Sequence, residues 1–169
     1  RLIQQKKRFD PHMLVVSLGS VVDFPNLDPS FHNVFSMFDG KRFDLGLYEQ
    51  GSTHSVTFDR PGVSFIFCNI HPEMSAVVVA VDTPYFATSK GNGEISIADV
   101  LPGRYQVSLW CERCMAESTN EFPRVVAISN TSSSLGTIRL AAAANLLQPH
   151  KNKYGQDYDP TSPGSGPRS

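Results

Sequence analysis

The stretch Cys68-Asn69-Ile70-His71-Pro72-Glu73-Met74 follows the apolar run Val63-Ser64-Phe65-Ile66-Phe67, and it decides how the rest of the chain is read. The run is β-branched and aromatic, which favours a strand. Directly after it come a thiol, an imidazole and a thioether, and a second imidazole stands thirty-six residues upstream in His32-Asn33-Val34. Thiolate, two imidazoles and a thioether form a mixed soft and borderline donor set. That set suits a mononuclear copper ion in a trigonal His2Cys arrangement with a weak axial Met.

The spacing sets a geometric condition. An extended strand rises roughly 3.3 Å per residue, so Cys68 and Met74 would lie about 20 Å apart on a straight path. One ion cannot hold both, so the segment must fold back as a loop between two strands. Pro72 restricts His71 to an extended conformation and interrupts any continuing ladder. His32 must come from a neighbouring strand, because donors on separate elements keep a coordination sphere fixed through a redox change. Phe31, Val34 and Phe35 offer apolar packing there, and Asn33 is expected to hydrogen-bond across to the Cys68 loop as an outer support. Singly, a strand Cys, a His beside Pro and a strand-end Met are ordinary core or surface residues; their joint order and spacing favour the metal site.

Outward from this stretch, strand signals dominate to about residue 140. Met13-Leu14-Val15-Val16, Val21-Val22-Asp23-Phe24, Ser55-Val56-Thr57-Phe58, Val63 to Cys68 and Ala76 to Val81 are short and bounded by Gly, Pro, Asn or Asp. The pattern predicts an all-β chain, a sandwich or barrel. A second unit is expected from residue 83. Gly91-Asn92-Gly93 should turn into a strand Glu94-Ile95-Ser96-Ile97, and Leu101-Pro102-Gly103 into Tyr105 to Trp110, with Val125 to Ile128 and Thr137 to Leu140 completing an antiparallel set. The domain reading is 1–82 for the metal unit, 83–147 for the second β unit and 148–169 for a mostly disordered tail, polar and rich in Gly, Pro and Ser. Ala141 to Leu147 has the propensity for a brief helix but is too short to hold one without packing.

Composition narrows the function classes. Fifteen Lys and Arg against sixteen Asp and Glu leave no basic field, so nucleic-acid binding is not expected, and the cluster Gln4-Gln5-Lys6-Lys7-Arg8 reads as a solvated chain end. No run reaches the roughly 18 apolar residues of a membrane helix, so no span is expected. The chain begins at Arg1, which suggests processing of a leader or excision from a precursor. Of three cysteines, Cys68 is claimed by the metal reading. Cys111 and Cys114 in Cys-Glu-Arg-Cys would lie about 10 Å apart on a continuing strand, so a bridge needs a turn at Glu112-Arg113. A disulfide, two free thiols and an auxiliary metal or redox pair all remain open.

The sequence resembles the cupredoxins, the blue copper proteins, and among them the amicyanin and bacterial plastocyanin type with a short Cys-x2-His-Pro-x-Met loop. The resemblance is carried by Phe9-Asp10-Pro11, Leu14-Val15-Val16, Gly19-Ser20-Val21-Val22, Phe24-Pro25-Asn26-Leu27-Asp28 and His32-Asn33-Val34. It continues through Phe58, Pro61-Gly62, Phe65 to Cys68, His71, Met74 and Val77-Val78-Val79, covering about residues 9 to 82. It implies a Greek-key β-sandwich with equatorial ligands His32, Cys68 and His71, axial Met74, and one copper ion cycling between Cu(I) and Cu(II). It implies one-electron transfer to a redox partner protein through the His71 edge, and a bacterial periplasmic or extracellular location. Only eight residues precede Phe9, where the family has a further strand. Glu73 replaces the apolar or aromatic residue usual between His and Met, which should favour Cu(II) and a cationic partner. Residues 83 to about 140 resemble a carboxypeptidase-regulatory-like or transthyretin-like β-sandwich, through Gly93 to Ile97, Val100 to Tyr105 and the strand to Trp110.

Three function classes follow. The first is an electron carrier, the second a copper-binding carrier or buffer in metal homeostasis, and the third a β-rich interaction module whose copper is structural. Four protein ligands leave no open position for substrate, and no Ser-His-Asp triad, zinc-hydrolase helix motif or phosphate loop is present, so an enzyme is not expected. His12, His54 and His150 read as surface or hydrogen-bonded histidines, His12 being the one that could approach the cavity. Met13, Met37 and Met115 are scattered, unlike the Met-rich runs of copper-ferrying chains.

Overall fold

Apolar residues recur at every second position through most of the predicted strands, and the computed structural model places those positions on one shared core. It describes residues 1–37, 40–131, 134–143 and 150–158. The chain forms two compact units, one of Arg1–Ile95 with Pro149–Ser169, the other Ser96–Gln148. The first of these units runs on past residue 82 to Ile95.

The first unit is all β. In chain order its strands are β1 (Ile3–Gln4), β2 (Phe9–Asp10), β3 (Met13–Ser17), β4 (Val21–Pro25), β5 (His32–Ser36), β6 (Phe43–Tyr48), β7 (Thr53–Thr57), β8 (Gly62–Cys68) and β9 (Ser75–Val81). A five-stranded sheet runs β3-β9-β8-β5-β6, and β4-β7 and β1-β2 form two further antiparallel pairs. β3 lies parallel to β9, with Met13 opposite Val77, while the other pairs in that sheet are antiparallel.

Alternation explains how these strands close on each other. Val34 of β5, Ile66 and Cys68 of β8, and Ala76, Val78 and Ala80 of β9 meet Val22 and Phe24 of β4, Val56 of β7, Leu2, Phe9 and Phe58 in one buried cluster. Residues two apart on a strand share a face, so the large sheet and the smaller pairs enclose this cluster as the layers of a sandwich. Fully burying a side chain such as Phe24 or Phe58 contributes roughly 1.5–3 kcal/mol. The odd-numbered partners face the other way: Phe35 and Phe67 pack together on the opposite face, ring centroids 5.9 Å apart.

The second unit contains β10 (Gly103–Val107) and β11 (Arg124–Ile128), paired antiparallel from Gly103 opposite Ile128 to Val107 opposite Arg124. Glu94–Ile97 and Thr137–Leu140, expected as strands, form no ladder, so among the described residues this unit holds a two-stranded pair rather than a fuller set. The turn at 91–93 does form, closed by Gly93 N–H donating to Lys90 O. Cys111 and Cys114 are joined as a disulfide with Cα atoms 5.5 Å apart, since the chain turns between them instead of continuing as a strand. Ala141 and Ala142 are not helical: Ala141 O accepts from Met115 N–H, and Ala142 bridges Cys114. Residues 144–147 of the expected helix lie outside the described residues. No helix among the described residues is long and apolar enough to cross a membrane.

The tail differs from its sequence reading. His150 to Tyr158 belongs to the first unit and hydrogen-bonds to it, through His150 to Pro72 O, Lys153 N–H to Asn69 Oδ1 and Tyr158 to Cys68 O. Polar composition suggests disorder, but one imidazole and one phenol pair with partly buried carbonyls. Residues 148, 149 and 159–169 lie outside the described residues.

Candidate metal centre

Cys68 is the last residue of β8 and pairs with Val34 of β5, so the two strands carry Cys68 and His32 into the same end of the sandwich. The register of β5 against β6 shifts between Asn33 and Phe35, a bulge directly beside His32. Bulges of this kind re-aim side chains next to functional sites. After Cys68 the chain folds back at once. Met74 N–H donates to His71 O at 3.0 Å and Cys68 N–H to Met74 O at 3.2 Å, so the ends that a straight strand would separate are hydrogen-bonded.

This fold-back brings three donors together. His32 Nδ1 lies 3.1 Å from His71 Nδ1 and 3.8 Å from Cys68 Sγ, and His71 Nδ1 lies 3.6 Å from that sulfur. His32, Cys68 and His71 are all buried and form a group able to hold a metal ion. A point equidistant from three atoms at those separations is about 2.0 Å from each. That matches an imidazole–metal bond of about 2.0–2.1 Å and falls slightly inside a thiolate–metal bond of about 2.3 Å. The donor separations thus suit one small metal ion, and the soft sulfur with two imidazoles fits copper by donor chemistry.

The electrostatics are those of a buried site. Burial pushes the Cys68 thiol up, while the main-chain N–H groups of Ile70, Asn33 and His71 act in the opposite direction by bonding to it. Burial holds His71 below its ordinary value, and nearby His32 and Lys7 add to the effect. His71 is 7% exposed and His32 fully buried, so His71 alone of the pair reaches the surface.

Met74 is fully buried in the core cluster, and its main chain closes the loop. Asn33 does not act as expected. Its side chain turns away to Asp44 Oδ1 and Gly46 O, and the link to the ligand loop is made by its main chain, with Asn69 N–H donating to Asn33 O at 3.3 Å. His12 stays outside the site, exposed, with Nδ1 3.1 Å from Ser75 O. His54 is exposed against the Tyr48 ring.

Two supports were not anticipated. Asp28 Oδ2 lies 2.9 Å from His32 Nε2, and the carboxylate is 5% exposed. An acidic residue four positions before the ligand is the only sequence signal, and on a loop it carries little weight. The other support is the 150–158 segment. The His150 ring stacks on Phe67 with centroids 3.9 Å apart, its Nε2 lies 2.7 Å from Pro72 O, and Tyr158 donates to Cys68 O at 2.7 Å. A His and a Tyr in an otherwise polar tail were the available clue.

No family model matches the chain, and no curated protein matches it. Among solved structures, it is similar to a copper-containing nitrite reductase from Thermus scotoductus SA-01, at 22% identity and TM-score 0.46 over 48% of this chain and 22% of that one. The chain thus spans about a fifth of the reductase. A reduced Cu(I) form of an amicyanin variant is 23% identical over 47% of this chain and 79% of that one, at TM-score 0.45. A purple cupredoxin from Nitrosopumilus maritimus is 25% identical over 45% of this chain and 84% of that one, at TM-score 0.41.

Proposed function

We propose that this chain is a type 1 copper protein that carries single electrons between redox partners. The observation that carries the reading is the convergence of His32 Nδ1, His71 Nδ1 and Cys68 Sγ, from two strands and a loop, at separations one copper ion spans. His32, Cys68, His71 and Met74 would hold the metal. Copper, when bound, supplies a one-electron couple between Cu(II) and Cu(I).

The chain's own residues do the remaining work. β5 and β8 fix two donors on a hydrogen-bonded sheet, so the donor triangle need not rearrange when the charge at its centre changes. The core around Cys68 and Met74 excludes water. His71 brings a ring edge to the surface and serves as the port for electrons. Exposed Glu73 sits two residues from that port and favours a partner with a cationic docking face. A periplasmic or extracellular setting is part of the proposal, and the Cys111–Cys114 disulfide is consistent with an oxidising compartment. The Ser96–Gln148 unit is proposed as a separate, partner-facing β module.

The test is reconstitution with Cu(II), followed by visible absorption and EPR spectra beside a Cys68→Ala control. An intense thiolate-to-copper band that the substitution abolishes supports the proposal. A colourless protein, or a spectrum indifferent to Cys68, rejects it.

A further inference from the structure

The N-terminal hairpin β1–β2 turns through two lysines in the left-handed region, a conformation its two-residue loop demands but lysine disfavours. Gln5 and Arg8 exchange both main-chain hydrogen bonds, Gln5 N–H to Arg8 O at 3.0 Å and Arg8 N–H to Gln5 O at 3.2 Å, closing a two-residue turn at Lys6-Lys7. Both lysines have positive φ, 56° and 52°. A two-residue turn of this hand favours Asn-Gly, and side chains with a full Cβ environment are disfavoured there. Backbone strain of this kind persists only where the surroundings over-determine it. The surroundings here are one carboxylate: the Lys6 N–H donates to Asp28 Oδ1, and the Lys7 N–H to Asp28 Oδ2 at 2.7 Å.

The same carboxylate meets His32 Nε2 through Oδ2 at 2.9 Å. The Asp28 main chain is held as well, its N–H donating to Asn26 Oδ1 at 3.0 Å, while Leu27 N–H donates to Gln4 O at 2.9 Å. The hairpin, the 26–28 segment and His32 are therefore one hydrogen-bonded unit. Resting on the copper reading above, we infer that Asp28, clamped by the main-chain N–H groups of the Lys6-Lys7 turn, is the positioning residue that presents His32 Nδ1 to the metal and biases the couple toward Cu(II).

The physical basis has two parts. An acceptor on Nε2 fixes the tautomer with the proton on that nitrogen, which leaves the Nδ1 lone pair facing His71 and Cys68. A buried negative charge one ring away also stabilises the more positive oxidation state, because little solvent screens it. The lysine side chains are not needed for either effect. Only the turn's two amides are.

The experiment uses the full chain with three changes: Asp28→Asn, Asp28→Ala, and Lys6→Asn combined with Lys7→Gly. In metal-free protein, long-range proton–nitrogen NMR should show His32 protonated at Nε2 in the parent and in the turn variant, and a lost preference in Asp28→Ala. In copper-loaded protein, Asp28→Asn should shift the relative affinity toward Cu(I) about tenfold, which for one electron is a rise of about 59 mV in midpoint potential. The turn variant should keep the parent potential.

An unchanged potential in Asp28→Asn, or an unchanged tautomer in Asp28→Ala, overturns the inference. If Asp28→Ala does not fold, the potential of Asp28→Asn decides alone. A shift in the turn variant as large as that of Asp28→Asn also overturns the clamp, because it would place the effect in the lysine charges. If the parent forms no thiolate-to-copper band, the copper reading fails, and the metal-free tautomer still decides whether Asp28 positions His32.

Discussion

His32 Nδ1 and His71 Nδ1 stand 3.1 Å apart in the interior, on residues 39 positions apart in sequence. Two ring nitrogens this close share one proton or compete for one cation. Holding them together without a metal spends stability on a polar pair enclosed by apolar side chains. The fold accepts that cost where a ligand offsets it.

Metal binding should therefore raise the stability of the first unit. Binding to the folded state alone contributes RT ln(1 + [L]/Kd), about 4 kcal/mol at a thousandfold excess over Kd. For a chain of this size that corresponds to a rise in Tm on the order of 10 °C. An anaerobic melt with and without Cu(I) checks it, and a rise that survives Cys68→Ala would place the binding elsewhere.

Met74 separates packing from ligation. Its side chain is fully buried, so Met74→Ala should cost about 2–5 kcal/mol through the cavity left behind, and Met74→Leu, which keeps the volume, less than about 1.5 kcal/mol. If the thioether is the axial donor, Met74→Leu should nonetheless alter the visible spectrum and the potential in a protein of near-parent stability. A Met74→Leu spectrum identical to the parent's would remove Met74 from the ligand set.

The proposed ligand residues stand out in the sequence because their chemistry is crowded into one loop. Cys68, His71 and Met74 cannot share an ion unless the chain folds back, and the hydrogen bonds of Met74 to His71 and Cys68 are that fold-back. The central strands β8 and β9 were legible for a different reason, as short, nearly continuous apolar and β-branched runs that are buried on both faces. β6 was not: Phe43-Asp44-Leu45-Gly46 carries a polar residue and a glycine, and its pairing depends on a bulge opposite Asn33. Asp28 and the 150–158 segment were hidden because their partners, His32 Nε2 and the carbonyls of Pro72 and Cys68, are set by tertiary contact and leave no periodic trace. Asn33 was assigned the right neighbourhood, but its main chain makes the link.

Glu73→Gln tests the charge beside the port. Removing a negative charge near the metal disfavours Cu(II), so the midpoint potential should rise. Glu73 is exposed, and water and salt screen it, so the rise should be smaller than that of Asp28→Asn and should shrink as ionic strength increases. Voltammetry at low and high salt measures both. A fall in potential, or a shift independent of salt, contradicts the assignment.

His150 should make the docking of the 150–158 segment sensitive to pH. Burial against Phe67 holds its imidazole below the ordinary 6.5, outweighing the favourable bonds to the carbonyls of Lys151 and Pro72. The charged pair of the segment, Lys153 with Asp44, raises the lysine and lowers the carboxyl, so both stay charged between pH 5 and 8. The sign follows from linkage: a histidine whose folded pKa is lowered contributes stability that is complete above 6.5 and lost as pH falls below it through the folded value. Lowering the pH from 7.5 to 5.5 should loosen the segment, speeding amide exchange at Lys153, whose N–H donates to Asn69 Oδ1, beyond the intrinsic pH effect on exchange. His150→Phe keeps a ring to stack on Phe67 and should abolish that dependence. An NMR titration of His150 with a midpoint at or above 6.5 would show that the ring is not held neutral by burial, and the segment would then have to be fastened chiefly by the Lys153–Asp44 ion pair and the Tyr158 hydroxyl.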